Sequence, residues 1–153
     1  MRQTDMELTR KTLKFSFADG KLTRLFSAQK KMTMEKFNLK EKFELFSDHW
    51  KPKVVAALNQ QEVKLVKLQG EFPWHYHERE DEMFLVWQGN MRIEFRDHIV
   101  HLGPGDALVV PQGIEHRSAA DEECQVLVFE PAGTRNTGNI EDEQFTALQT
   151  PRI

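Results

Sequence analysis

The chain changes character at Pro52. Beyond it, apolar residues come in short runs cut by glycine, proline and small polar residues, a pattern that predicts strands. The runs cover residues 53–58, 62–69, 74–77, 82–88, 91–95, 99–102, 107–110, 116–119 and 124–129. Many short strands at this spacing predict an all-β sandwich or barrel. Ahead of Pro52, Leu39, Phe43, Phe46 and Trp50 fall on one helical stripe behind the capping pattern Asn38-x-x-Glu41. Residues 34–52 therefore read as a helix from Asn38 to Trp50 that Pro52 stops, its apolar face covering the barrel. Residues 1–33 form an N-terminal extension in which Leu13, Phe15 and Phe17 alternate before Asp19-Gly20, a hairpin pattern. That segment is either a strand extension or a stretch upstream of a start near Met32 or Met34. Residues 53–139 make the barrel and 140–153 a tail.

Candidate chemistry concentrates in two of these runs. Gly70-Glu71-Phe72-Pro73-Trp74-His75-Tyr76-His77 leads through Glu78-Arg79-Glu80-Asp81 to Glu82, and Gly105 to Val110 leads through Pro111-Gln112-Gly113 to His116. Residues two apart on a strand share a face, so His75 and His77 aim both imidazoles at one point. Glu82 reaches that point if the polar stretch turns, and His116 opens another strand after its Pro-x-Gly turn. Three imidazoles and a carboxylate suit Mn, Fe, Ni, Cu or Zn. On a six-coordinate ion, four protein ligands leave two positions for water or substrate. A lone His-x-His is common on surfaces and Glu82 alone reads as a solvated charge; it is their conjunction with His116 that makes the pattern specific. Surface positions are expected for His98 and His101, and a helix end for His49.

These segments resemble the two motifs of the cupin superfamily, and in particular its small single-domain members. The first cupin motif is Gly, five residues, His-x-His, three or four residues, Glu, six residues, Gly. Here four residues separate Gly70 from His75, four separate His77 from Glu82, and six separate Glu82 from Gly89. In the second, Gly105, Pro111, Gly113 and His116 match, and Ala120 stands where asparagine is usual. The resemblance covers residues 53–139, and the stretch 130–138 looks like the tail of small cupins often labelled mannose-6-phosphate-isomerase-like. It implies an all-β double-stranded β-helix, or jelly roll, with a short N-terminal helix. It also implies a divalent transition metal (Fe, Mn, Ni or Zn) on His75, His77, Glu82 and His116. Fold alone does not choose among the isomerases, oxygenases, sensors and storage proteins of that superfamily.

Strand parity gives a pocket. If Glu82 faces inward, so do Phe84 and Val86; His116 brings Ser118; Met91, Ile93 and Phe95 are the inward set of their run. Trp74, Tyr76, Leu85 and Trp87 then point outward. The cavity is mostly apolar, as small-molecule sites tend to be, with Ser118, Gln125 and Glu130 as polar candidates around the metal and Lys64 and Lys67 as further contributors. No second carboxylate is placed as a general acid. The reading is a metal-dependent enzyme on a small organic molecule, of isomerase or oxygenase type; the alternative is a cupin that binds or senses a small molecule without turnover.

Charge is unevenly spread. Residues 1–53 carry 13 Lys+Arg against 7 Asp+Glu, and residues 54–153 carry 8 against 17. An acidic barrel argues against nucleic acid as partner, and the basic charges ahead of it are dispersed rather than clustered. No apolar run approaches a membrane span and no signal-peptide core follows Met1, so the expected location is the cytoplasm. The single Cys124 excludes an internal disulfide and reads as a strand thiol. Exposed strand edges and outward aromatics predict a homodimer.

Overall fold

The computed structural model describes residues 36–153 and the strand segments Lys14–Ala18 (β1) and Lys21–Leu25 (β2). The chain divides into two compact units, 1–35 and 36–153. In the first, β1 and β2 pair antiparallel from Lys14↔Leu25 to Ala18↔Lys21. The Asp19-Gly20 turn between them, Leu13, Met32 and Met34 lie outside the described residues.

The second unit starts with a single helical turn and a half. Helix α1 runs Leu39–Phe43, capped by Asn38, whose side chain accepts from Glu41 N at 3.3 Å, a contact that stabilises by about 1 kcal/mol. The sequence pattern extends this helix to Trp50; the structure ends it at Phe43. Beyond Glu44 and Leu45, the chain is drawn into pairing with the barrel: His49 bridges Lys67, and Trp50 N donates to Lys67 O at 2.9 Å. Trp50 takes a φ of 63°, a conformation unfavourable for a bulky side chain. Its indole Nε1–H donates to Gln69 O and its carbonyl accepts from Asn136 Nδ2. The apolar stripe is thus split between two clusters. Leu39, Phe43 and Phe46 pack with Val55, Leu65 and Leu127 on the outside of the barrel, whereas Trp50 joins the interior. His49 is not at a helix end; its Nε2 lies 3.0 Å from Glu123.

The barrel is built on one long strand. Strands β3 (Lys53–Leu58), β4 (Gln61–Glu71), β5 (Glu82–Gln88), β6 (Met91–Phe95), β7 (Ile99–Leu102) and β8 (Ala107–Val110) precede β9, His116–Pro131. The second half of β9 pairs antiparallel with β4 on one side and β5 on the other, and the order β3-β4-β9-β5-β8 forms one wall. Its first half pairs with β6, which continues to β7, and meets the end of β4 at Gly70↔Ala120. The register of β4 on β9 shifts between Leu68 and Gly70, and such a bulge bends a sheet. One strand therefore belongs to both walls of a double-stranded β-helix. Residues 116–119 and 124–129, two runs in the sequence, are one strand of 16 residues. Residues 74–77 do not form a strand, and only His75 makes a bridge, to His116.

Alternation decides what fills the barrel. Val66 and Leu68 of β4, Phe84 and Val86 of β5, Met91 and Ile93 of β6, and Val126 and Val128 of β9 face inward as one core. Cys124 is buried with them, and burial pushes its thiol up to about 11, which leaves it unreactive. The tail turns back over the open end: Phe145 packs edge-on against Trp50 and Phe72, and Ile153 N donates to Val54 O. Among the described residues, no helix is long and apolar enough to cross a membrane.

Candidate metal centre

His75 and His116 exchange backbone hydrogen bonds, His75 N to His116 O at 3.0 Å and the reverse at 2.9 Å. This reciprocal bridge, flanked by Phe72 N to Ser118 O and Gly113 N to His77 O at 2.7 Å, stitches the two histidine-bearing segments together. Glu82 enters as the first residue of β5, opposite Val110. Asp81 Oδ1 accepts from Gln112 N at 2.9 Å and ties the two turns to each other. All four side chains are buried, each less than 7% exposed.

His75, His77 and Glu82 offer ligand atoms that lie within 4.8 Å of one another. His116 falls outside that trio by the same measure, yet its Nε2 is 3.5 Å from Glu82 Oε2 and its ring centroid is 4.5 Å from that of His75. His77 Nε2 lies 3.4 Å from the same Glu82 oxygen. These contacts lack hydrogen-bond geometry. Among the described residues His77 Nε2, Glu82 Oε2 and His116 Nε2 are buried without a hydrogen-bond partner, an arrangement that costs free energy unless something else binds there.

The outer nitrogens fix the tautomers. His75 Nδ1 is 3.0 Å from Pro73 O, and His116 Nδ1 is 3.0 Å from Ile114 O. A carbonyl only accepts, so each Nδ1 carries the proton and each Nε2 presents a lone pair to the centre, as metal-ligating histidines do. Burial, then the neighbouring His116, depresses His75 to about 4, so it stays neutral. Burial opposes protonation of His77, but Glu82 outweighs it and raises that pKa. Burial would raise Glu82; the imidazoles of His116 and His77 outweigh it and hold the carboxylate at about 2. Two imidazoles that turn Nε2 to the centre, a third imidazole and an ionised carboxylate fit a divalent transition metal.

Two spaces adjoin these atoms. Inside the barrel a cavity of about 40 Å³ touches His75 and Glu82, walled by Val66, Leu68, Phe72 and Phe84. At the rim, a polar bowl of about 410 Å³ reaches His77 between Tyr76, Glu80, Arg135 and Asn139. Phe84 and Ser118 line the inner cavity as parity predicts. Val86, Met91 and Ile93 do not reach it and are buried in the core beyond, while Phe95 is half-buried with its ring centroid 6.4 Å from that of His116. Strand parity identifies the inward face but not how far along the barrel each residue sits. Gln125, half-buried and paired with Lys67, is on the outer face. Lys67 is there too, 3.5 Å from Glu123. His98 and His101 are exposed.

A second carboxylate does stand in the cavity. Glu130 lines it and is 2% exposed, with Oε2 unpartnered and Oε1 accepting from Lys64 Nζ at 2.9 Å. Both residues continue inward-facing alternations, Lys64 with Val66 and Leu68, Glu130 with Val126 and Val128, so the signal was present one step beyond the apolar run. Asn139 left no such trace. Its Oδ1 accepts from Tyr76 N at 2.9 Å and its own N–H donates to Tyr76 O at 3.0 Å, which clamps the residue between two of the histidines. Gly138 makes the approach possible, with φ of 52° and no room for a Cβ against the Tyr76 carbonyl.

Comparison with known proteins agrees with this geometry. A family model described as "Cupin domain" matches residues 63–130. YdbB of Bacillus subtilis is 35% identical over 65 residues, 42% of this chain, and the chain spans 58% of that protein's length. A cupin-2 domain containing protein from Shewanella frigidimarina, whose structure is solved, is 45% identical. The likeness covers 62% of this chain and 93% of that one, with a TM-score of 0.62. A protein from Neisseria meningitidis is 27% identical over 64% of this chain and 100% of its own, with a TM-score of 0.60.

Proposed function

The chain belongs to the cupin superfamily, and from that premise we propose that it is a metal-dependent enzyme acting on a small organic molecule, of isomerase or oxygenase type. The observation that carries this reading is the convergence of unpartnered buried atoms, His77 Nε2, Glu82 Oε2 and His116 Nε2, beside a cavity. His75, His77, Glu82 and His116 would hold the ion. A divalent metal there would supply Lewis-acid polarisation of a ligand oxygen.

The chain's own residues supply orientation and dryness. Pro73 O and Ile114 O keep two imidazoles in the ligating tautomer. Phe72, which packs edge-on to the His75 ring at 5.1 Å, and Phe84, whose ring centroid lies 6.2 Å from that of His116, exclude water, so that charges in the cavity act at low dielectric. Ser118 and Glu130 are the polar groups available to a bound molecule inside. The rim bowl gives a route to His77 from solvent.

Elemental analysis of the wild type, His75→Ala and His116→Ala, followed by assay of a sugar, diol and aromatic-acid panel with defined metals, tests this. One equivalent of metal in the wild type, less in both variants, and turnover that follows the metal are expected. Equal metal in all three would sink the site. Saturable binding without turnover would instead favour a sensing or storage cupin.

A further inference from the structure

Lys64 and Glu130 form a buried pair at the end of two inward-facing aliphatic rows, Val66 and Leu68 on β4 and Val126 and Val128 on β9. Lys64 Nζ is surrounded by Glu130 Oε1 at 2.9 Å, Thr134 O at 3.4 Å and Glu62 Oε2 at 3.5 Å. Its three protons are matched by three oxygens, so it has nothing left to offer a ligand. Glu130 differs. One oxygen is held by Lys64, while the other is buried, faces no donor and belongs to a group lining the cavity that His75 and Glu82 also line. A carboxylate oxygen in that state calls for a hydrogen-bond donor.

Resting on the metal reading above, we propose that Glu130 is a ligand-binding residue, positioned by Lys64, whose Oε2 accepts a hydrogen bond from the hydroxyl of an α-hydroxy carbonyl compound bound at the metal. Several observations narrow the class. The cavity of about 40 Å³ accepts a fragment on the order of three water-sized groups. Its walls Val66, Leu68 and Phe72 offer no hydrogen bond to a second polar substituent, the Asn136 amide is taken up by Trp50 O, Phe145 O and Ala147 N, and Ser118 is the one hydroxyl in the lining. Four protein ligands leave two positions on a six-coordinate ion, which suit a carbonyl or carboxylate oxygen and its neighbouring hydroxyl oxygen. A hydroxyl so placed has its proton free for Glu130.

Glycolate and acetate, which differ by that hydroxyl alone, are the probes. In metal-loaded wild type, glycolate should bind about tenfold or more tightly than acetate by calorimetry, the discrimination expected of one hydrogen bond to a charged acceptor. In Glu130→Gln, the amide oxygen satisfies Lys64 and the amide nitrogen, a donor, replaces Oε2. Acetate affinity and metal content should then be unchanged, and the roughly tenfold part of the glycolate preference that the hydrogen bond adds to chelation should be lost. Glu130→Asp, which withdraws the carboxylate, should lose it as well and serves if the Gln variant does not fold. Metal bound but no preference in wild type, or a preference undiminished in a folded variant, overturns this inference alone. No metal in wild type overturns the metal reading and this one with it.

Discussion

Asn139 grips Tyr76 from both sides, its side-chain oxygen on the Tyr76 amide at 2.9 Å and its backbone amide on the Tyr76 carbonyl at 3.0 Å. Tyr76 lies between His75 and His77 in a stretch whose one β-bridge is at His75 and whose other backbone bond to the barrel runs from Gly113 N to His77 O. A residue from the loop after β9 thus does for the histidines what a neighbouring strand would otherwise do.

Loosening that grip should loosen the metal. Asn139→Ala should cost about 1 kcal/mol in stability and weaken metal binding, although Asn139 is not a ligand. Gly138→Ala should do more, because an added Cβ meets the Tyr76 carbonyl and comes within 3.3 Å of His75 Cδ2. Competition against a metal-sensitive dye measures both. Wild-type affinity in Gly138→Ala would show that the clamp does not position the histidines.

In the metal-free protein, the contribution of His75 to stability should fall with acid. Its pKa falls from 6.5 to about 4 on folding, because burial and then His116 disfavour the charged ring. The stability it contributes is complete above pH 6.5 and is lost as pH falls toward 4. Between pH 7 and 5 that loss is about 2 kcal/mol. His77 and Glu130 work the other way: both pKa values are raised, that of Glu130 to about 7 chiefly by burial, so their contributions are lost as pH rises through the folded values and offset that of His75 between pH 7 and 5. Urea unfolding of chelator-treated protein at pH 7 and pH 5 separates the opposing contributions. Relative to wild type, His75→Phe should gain about 2 kcal/mol between pH 7 and pH 5 and His77→Phe should lose stability over the same interval; a pH dependence in His75→Phe equal to that of wild type would rule out burial of that ring as a contributor.

Much of the barrel was legible because alternation and turn residues report directly on which side of a sheet a residue faces. The strands 53–58, 82–88, 91–95, 99–102 and 107–110 have the bounds that their sequence runs suggest. That His75, His77 and Glu82 come together was legible because they lie within eight positions of one another. The helix was not: Phe46 and Trp50 continue a helical stripe, but apolar periodicity cannot reveal that the two residues are buried in different clusters. Nor could it reveal that residues 116–131 are a single strand, since the polar stretch Asp121-Glu122-Glu123 reads as a turn and is instead exposed strand. Asn139 was invisible for a different reason. A loop asparagine has no periodicity, and its contact with Tyr76 spans 63 positions.

Residues 1–33 should be dispensable for the barrel. The chain divides at residue 35, and the ligands, their tautomer-fixing carbonyls and the Asn139 clamp all belong to 36–153. A chain beginning at Met34 should bind the same metal and unfold in one cooperative transition. Insolubility or loss of metal would mean that the first unit completes the second.

A homodimer should form through the outer face of β5 and β8. Further along the same wall, the outward residues Leu65 and Leu127 are already covered by Phe43 and Phe46, so there the segment around α1 suffices. Trp74 is also provided for, with the Arg96 guanidinium 3.9 Å from its ring centroid and Arg117 at 5.2 Å. Among the described residues, the strip formed by Met83, Leu85, Trp87 and Val109 has no such cover: Trp87 and Val109 are 42% and 54% exposed, and β8 ends the strand order described there. Contiguous apolar surface beside an edge strand favours association, most often two-fold. Light scattering at micromolar concentration should give about twice 17.9 kDa, and Trp87→Lys with Val109→Lys should return the monomer with its metal intact. A wild-type mass near 17.9 kDa would mean that the barrel tolerates this strip in water, and the dimer would be ruled out.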